Sequence, residues 1–167
     1  MNIIFDFDGT IADTFEIVIG IFHELTHRDN TLPPDEIERL RGMSLIHAAE
    51  ELQLRPWTMP FLLIRGRHRM SRKMKDVHAY EGTVALIREL HADGYHLYIT
   101  SSNSVRNIQE FLIRHEMNTE FIKIYGGVGL LNKARTWRKG VRHNNLDPQD
   151  TWYVGDEVRD IEEPNMP

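Results

Sequence analysis

The first ten residues constrain the fold of this chain more than any other segment. The apolar run from Asn2 to Phe7 predicts a short strand buried on both faces, as in a parallel sheet. Two carboxylates, Asp6 and Asp8, come at its C-terminal end, and they leave the strand together because residues two apart on a strand point the same way. Gly9 then lets the backbone turn sharply and approach a ligand closely.

The paired carboxylates predict a metal ion at the mouth of this strand. Two like charges at the end of a buried strand repel each other unless a cation lies between them. Oxygen ligands favour a hard divalent cation, and we expect Mg²⁺. The same Asp-x-Asp spacing also occurs in turns whose charges are solvated, so the remaining chain must supply the partners of a site.

Composition limits the classes of protein to consider. The 167 residues suffice for one core, or for a core with a small inserted domain. The net charge of −5 does not favour nucleic acid as the main partner, and the absence of cysteine excludes disulfides, zinc–thiolate sites and cysteine nucleophiles. The chain shows neither a signal-peptide pattern nor an apolar run of membrane-spanning length, so we expect no membrane partner and a cytoplasmic location.

Helix and strand patterns divide the chain into two parts. The first part shows only helical patterns, predicted over 15–27, 33–41, 44–52 and 56–75. In the second part helices alternate with strands, the helices over 82–92, 104–116 and 134–144 and the strands over 95–100, 121–125 and 151–154. Such alternation indicates an α/β fold with a doubly wound parallel sheet. We therefore predict a core domain of residues 1–13 and 79–167, with residues 14–78 inserted as a helical domain.

Polar residues follow each predicted strand of the core. Ligands bind at the carboxyl ends of the strands in an open α/β sheet, so these residues are expected at one rim. They are Asp6 and Asp8 after the first strand, Ser101, Ser102 and Asn103 after the second, Lys133 after the third, and Asp156, Glu157 and Asp160 after the fourth. Hydroxyl and amide donors, one cation and several carboxylates suit a phosphate group held beside Mg²⁺.

Several of these residues also have a simpler interpretation. Ser101 would otherwise cap the helix that follows it, and Thr100 would take its role if the register of the strand slips by one. Lys133 alone would be a solvated surface charge. Gly155 and Asp156 alone would form an ordinary turn.

Four segments, in this order, resemble the four motifs of the haloacid dehalogenase-like (HAD) superfamily of phosphohydrolases. The segments are Asp6-Phe7-Asp8-Gly9-Thr10 for motif I, Tyr98-Ile99-Thr100-Ser101-Ser102-Asn103 for motif II, Lys133 for motif III, and Val154-Gly155-Asp156-Glu157-Val158-Arg159-Asp160 for motif IV. The resemblance implies a Rossmann-like core, and the insert resembles the helical C1 cap of the phosphoglycolate phosphatase-like members. Asp8 implies phosphoryl transfer, because the dehalogenase members lack the second Asp.

The resemblance implies a Mg²⁺-dependent phosphatase that hydrolyses a small phosphomonoester. Asp6 would attack phosphorus to form an aspartyl-phosphate, and Asp8 would act as general acid and then as general base. Mg²⁺ would be bound by Asp6, by the backbone carbonyl of Asp8 and by Asp156. Ser101 and Lys133 would hold the phosphoryl oxygens, where charge builds up. The remaining expected roles are substrate contacts by Thr10, Ser102 and Asn103, and support from behind the ligands by Asp160 and Glu157.

The cap is expected to select the substrate and to exclude water from the site. Arg41 lies in a segment that resembles a cap loop facing the active site, where it would meet a distal anionic group; otherwise it is a solvated cation in the last turn of its helix. A basic run in the last cap helix indicates a solvated face, steering of anionic substrates, or a nucleic-acid contact. Its members are Arg65, Arg67, His68, Arg69, Arg72, Lys73 and Lys75.

The sequence departs from the family pattern after Asp160. Family members continue with a helix and at least one more strand, whereas this sequence stops at Pro167, which would leave the last strand as an exposed sheet edge. We expect lower stability and consider a homodimer through that edge. Two other functions stay open: a phosphomutase resembling β-phosphoglucomutase, and a non-catalytic binding module that keeps the fold.

Overall fold

The strands of the core form one parallel sheet. The computed structural model describes residues 1–26, 33, 37, 39–40, 50–51, 55–127 and 146–156. Within them the strands are β1 (Asn2–Phe5), β2 (Ala12–Asp13), β3 (His78–Ala79), β4 (His96–Thr100), β5 (Phe121–Tyr125) and β6 (Thr151–Val154). Four of these form a sheet in the order β5-β4-β1-β6, and every neighbouring pair is parallel. The predicted α/β fold with a parallel sheet is confirmed.

The first strand lies in the middle of this sheet. Phe5 is paired in register with Ile99 of β4 on one side and with Val154 of β6 on the other. All four residues of β1 are buried, as the apolar run predicts for a strand covered on both faces. The strand ends at Phe5 rather than at Phe7, so both carboxylates of the Asp-x-Asp segment lie just beyond its carboxyl end.

Four helices are complete in the described part of the chain. They are α1 (Phe15–Thr26), α2 (Met59–Lys73), α3 (Thr83–Ala92) and α4 (Val105–Arg114). Short 3₁₀ turns occupy Pro56–Thr58, Met74–Asp76 and Pro148–Asp150. The helices predicted over 33–41 and 44–52 lie largely outside the described residues, and the one predicted over 134–144 lies wholly outside them. None of the described helices is long and apolar enough to cross a membrane.

The main core lies between the sheet and the apolar faces of α3 and α4. Ile87 of α3 and Ile108 of α4 are fully buried, as are Leu97 and Ile99 of β4. Phe7, just after β1, meets Phe111 of α4 edge to face, with ring centroids 5.0 Å apart. The loop that carries the two carboxylates is therefore anchored in the core by the aromatic residue between them.

Helices α1 and α2 are joined by ion pairs. Glu24 of α1 accepts from Lys73 of α2 at 2.7 Å and pairs with Arg69 at 3.0 Å, and the Lys73 hydrogen bond lowers the pKa of Glu24. These two members of the basic run thus have partners.

The antiparallel pair β2–β3 joins Asp13 to His78. The expectation of helix alone over residues 14–78 is wrong at His78, because a two-residue strand is too short to leave a pattern in the sequence.

Candidate active site

Asp6 lies at the point where β1 leaves the sheet. Its backbone N–H still pairs with the sheet, donating to the carbonyl of Val154 in β6 at 2.8 Å. The residue is 1 % exposed, and its Oδ1 accepts from the backbone N–H of Phe7 at 2.7 Å. The carboxylate is therefore held in one orientation at the carboxyl end of the sheet, where a buried charge needs such partners.

Both carboxylate oxygens of Asp8 are held by the turn that follows β4. The Ser101 hydroxyl lies 3.0 Å from Asp8 Oδ2, and the Asn103 side-chain amide donates to Asp8 Oδ1 at 3.1 Å. Ser101 is fully buried, and its Oγ also accepts from the backbone N–H of Asn103 at 2.9 Å. The structure thus brings the residues after two neighbouring strands into direct contact.

The structure shows which residue caps α4 and which hydroxyl of the β4–α4 turn contacts Asp8. Ser104, and not Ser101, caps α4, because its hydroxyl accepts from the backbone N–H of Asn107. Thr100 is 2 % exposed, and its hydroxyl has no hydrogen-bond partner in the described part of the chain. Of the two neighbouring hydroxyls, the one that meets Asp8 belongs to Ser101.

Asp156 reaches the first loop from the other side. It follows β6, and its Oδ1 accepts from the hydroxyl of Thr10 at 3.3 Å. Gly9 has a φ of +81°, and a Cβ built on it would overlap the Asp156 carboxylate, whose Cγ would be 2.6 Å away. Only glycine allows this loop both its left-handed conformation and this close approach.

The donor set at this rim fits a hard cation. The described residues contain no group of three or more His, Cys, Asp or Glu side chains placed to hold a metal. The Asp8 carboxylate is held by Ser101 and Asn103, so the set that fits consists of the carboxylates of Asp6 and Asp156 and the backbone carbonyl of Asp8. Carboxylate and carbonyl oxygens are the ligands that Mg²⁺ takes.

The remaining expected site residues divide into two groups. Ser102 and Asn103 lie in the β4–α4 turn, and the side-chain amide of Asn103 donates to Asp8. Arg41, Lys133, Glu157 and Asp160 lie outside the described residues, and their roles stay predictions.

Three further contacts at the site had no signal in the sequence. Arg67 of α2 donates to the backbone carbonyl of Ser102 at 2.6 Å. Ser71 of the same helix donates to Asn107 Oδ1 at 2.9 Å, and Asn107 in turn donates to Asn103. Arg67 was one of several basic residues in a run. No local pattern separates Ser71 or Asn107 from an ordinary helix residue.

Comparisons with known proteins place the chain in one family. Residues 3–164 match the family described as haloacid dehalogenase-like hydrolase. The chain therefore belongs to the haloacid dehalogenase-like hydrolase family, as the four motifs predict. It is 32% identical over 162 residues to a phosphoglycolate phosphatase of Synechococcus elongatus (strain ATCC 33912 / PCC 7942 / FACHB-805), covering 96% of this chain and 76% of that protein.

Solved structures show the same fold in proteins of different description. A predicted phosphatase from Clostridium acetobutylicum has a TM-score of 0.78 at 22% identity, over 96% of this chain and 77% of that one. The Protein Tyrosine Kinase A (PtkA) of Mycobacterium tuberculosis has a TM-score of 0.77 at 19% identity, over 96% and 76%. At such identities the likeness shows the fold alone, and function must be argued from the site.

Proposed function

We propose that this chain is a Mg²⁺-dependent phosphatase that hydrolyses a small phosphomonoester through an aspartyl-phosphate on Asp6. The proposal rests above all on one observation: the Asp8 carboxylate is held at both oxygens, two residues from the buried carboxylate of Asp6. A nucleophile and a fixed proton carrier at one rim are what hydrolysis in two steps requires. Membership of the hydrolase family supports the same reaction.

In the first step, an oxygen of Asp6 forms a bond to phosphorus while the bond from phosphorus to the leaving oxygen breaks. The hydrogen bond from Phe7 N–H to Asp6 Oδ1 keeps the nucleophile oriented for attack in line. Asp8 gives its proton to the leaving oxygen, which departs as an alcohol. In the second step, Asp8 takes a proton from water, the water oxygen attacks phosphorus, and Asp6 is released with inorganic phosphate.

The other residues of the rim bind the substrate. Lys133 holds phosphoryl oxygens on which charge builds up, and Ser101 joins it when Asp8 carries the proton, because Asp8 Oδ2 then no longer takes the single Ser101 hydrogen. Thr10, Ser102 and Asn103 line the same place. Mg²⁺ held by the carboxylates of Asp6 and Asp156 and the backbone carbonyl of Asp8 would supply positive charge that draws electron density from the phosphoryl group and shields Asp6 from an anionic substrate. Asp160 and Glu157 do not contact the substrate directly but orient the groups that do. Arg41 contacts an anionic group at the distal end of the substrate.

Phosphoglycolate is the substrate to test first. The relative from Synechococcus elongatus is named for it and shares 32% of the aligned residues. The carboxylate of phosphoglycolate is also the kind of distal anionic group that Arg41 is proposed to contact. We further propose that the protein works in the cytoplasm and forms a homodimer through the β6 edge of the sheet formed by the described strands.

The proposal is tested by measuring hydrolysis of p-nitrophenyl phosphate and phosphoglycolate, with Mg²⁺ and with EDTA. We expect turnover that requires Mg²⁺ and falls to background in Asp6→Asn, because an amide oxygen is a poor nucleophile and metal ligand. Asp13→Asn is the matched control, since Asp13 is an exposed aspartate of β2 and the change is chemically identical. It should keep wild-type activity.

The covalent intermediate gives an independent readout. Wild-type protein quenched during turnover should gain the mass of one phosphoryl group on the peptide that contains Asp6. Metal-independent turnover, or an Asp6→Asn variant as active as the wild type, would contradict the mechanism.

A further inference from the structure

A chain of side-chain hydrogen bonds runs from cap helix α2 to Asp8. The Ser71 hydroxyl and Asn107 Oδ1 are 2.9 Å apart, Asn107 Nδ2 and Asn103 Oδ1 are 2.8 Å apart, and Asn103 Nδ2 and Asp8 Oδ1 are 3.1 Å apart. The two asparagines are 3% and 7% exposed, so they are shielded from water. The chain links a helix of the insert to the proposed proton carrier.

Backbone chemistry determines the direction of every bond in this chain. The backbone N–H of Ser104 donates to Asn103 Oδ1 at 2.9 Å, and because an N–H cannot accept, that atom must be the amide oxygen. The nitrogen of Asn103 therefore faces Asp8. Asn107 must then present its own nitrogen to Asn103 and its oxygen to Ser71, whose hydroxyl must donate. All three donors consequently point toward the carboxylate.

Helix α2 contacts the β4–α4 turn at a second point. Arg67 donates to the carbonyl of Ser102 at 2.6 Å, next to Asn103. Arg67 and Ser71 are four residues apart, so they lie on the same face of the helix. One face of α2 thus reaches the backbone of the turn directly and reaches its side chains through Asn107.

We infer that Ser71, Asn107 and Asn103 are positioning residues that hold the Asp8 carboxylate ready for proton transfer and make its orientation depend on the place of α2. The inference rests on the role of Asp8 in the proposed function. Buried amides that are fully bonded hold one orientation, and aligned hydrogen bonds strengthen one another. Removal of the Ser71 hydroxyl leaves the oxygen of Asn107 without this donor, so the Asn107 amide can turn and its hydrogen bond to Asn103 is weakened. Asn103 keeps its bond from the Ser104 N–H but loses the donor that helps to align its amide toward Asp8.

The experiment compares two substrates that differ in their need for a proton. An alkyl phosphate releases an alkoxide that must be protonated, whereas p-nitrophenyl phosphate releases a stable phenolate, so kcat/KM depends on the general acid for the first substrate only. A defect in folding or in phosphate binding lowers both values by the same factor. The ratio of the two values therefore reports on the placement of Asp8.

Ser71→Ala is the main variant because Ser71 is exposed on a helix and alanine is the best helix former. We expect kcat/KM for ethyl phosphate, an alkyl phosphate without a carboxylate for Arg41 to bind, to fall about tenfold more than kcat/KM for p-nitrophenyl phosphate, a fraction of the effect of a whole general acid. Ser71→Thr keeps the hydroxyl and should restore the wild-type ratio. Asn107→Ala should change the ratio in the same direction and further. His68→Ala, on an exposed position of α2, should leave it unchanged.

The outcomes separate this inference from the proposed function. Equal losses on both substrates, or a Ser71→Thr variant that behaves as Ser71→Ala, would overturn the positioning role while leaving the phosphatase intact. A wild-type chain without activity on either substrate would refute the proposed function, and this inference with it.

Discussion

Gly9 is the residue whose replacement tests the geometry of the first loop most directly. Gly9→Ala adds a Cβ in the left-handed region and places it on the Asp156 carboxylate. We expect a stability loss of more than about 1–2 kcal/mol, the usual cost of that backbone conformation, together with loss of most activity because Asp156 must move. Thermal unfolding and kcat/KM measure the two effects.

A matched control for Gly9 exists elsewhere in the chain. Gly94 has a φ of +82°, close to the +81° of Gly9, but a Cβ there would meet nothing within 4 Å. Gly94→Ala should therefore show the backbone cost alone and keep wild-type activity. If both variants lose activity equally, the contact between Gly9 and Asp156 does not matter for the reaction.

His115 makes stability depend on pH at the end of α4. Its ring lies on Phe111 with the centroids 4.4 Å apart, and burial, then the charge of Arg114, lowers the pKa of His115 below its usual 6.5, against a hydrogen bond with Val77 that raises it. Because the pKa of His115 is lower in the folded chain than in the unfolded chain, the unfolded chain binds the proton at a higher pH as the pH falls. Stability is therefore complete above about pH 6.5 and decreases as the pH falls through it.

The test compares melting temperatures at about pH 7.5 and about pH 5.5, on either side of the ordinary histidine pKa. His115→Gln should lose less on acidification than the wild type, because glutamine cannot take up the proton. His91→Gln is the control, because it removes an exposed histidine of α3 and keeps His115. A His115→Gln variant with the wild-type pH dependence would contradict the assignment.

At the scale of elements, Arg114 joins α4 to the segment Met74–Val77 that follows α2. Its guanidinium donates to the backbone carbonyls of Met74 at 2.9 Å and Val77 at 2.6 Å, and it lies over the ring of Phe111. Arg114→Met keeps most of the apolar stem but removes both bonds. We expect a loss of about 1–2 kcal/mol in the free energy of unfolding, measured with denaturant.

The same helix provides the control for Arg114. Arg106 pairs with Glu110 one turn away on the surface, at 2.8 Å. Arg106→Met removes the same charge and should cost much less, because solvent screens exposed ion pairs. Equal losses of unfolding free energy in the two variants would show that the hydrogen bonds from Arg114 to Met74 and Val77 do not contribute to stability.

Elements with strong local patterns were predictable from the sequence, and those defined by distant partners were not. The predicted strand over 121–125 matches β5, and α4 lies within its predicted range, because alternating or helical apolar positions persist over many residues. The ladder β2–β3 was missed, since its two residues per strand are defined only by a partner 65 or more positions away.

At the scale of the whole molecule, β6 is the edge of the described sheet nearest the site. Trp152 is 63% exposed there, and Val154 is 40% exposed. A homodimer through this edge should appear as a mass that rises with protein concentration in sedimentation equilibrium. Trp152→Lys should keep the protein monomeric. A monomer mass at every concentration would rule this dimer out.

The sequence by itself determined the order of the four strands of the described parallel sheet along the chain, the positions of Asp6, Asp8, Ser101 and Asp156 after those strands, and the family. Those features are local, and parallel strands necessarily bring their carboxyl ends to one rim. Only the tertiary structure decided that both oxygens of Asp8 are held, and that helix α2 is linked to Asp8 through Ser71, Asn107 and Asn103. Ser71 and Asn107 are 36 positions apart, and hydrogen bonds between such residues depend on how packed helix faces meet, which no local pattern records.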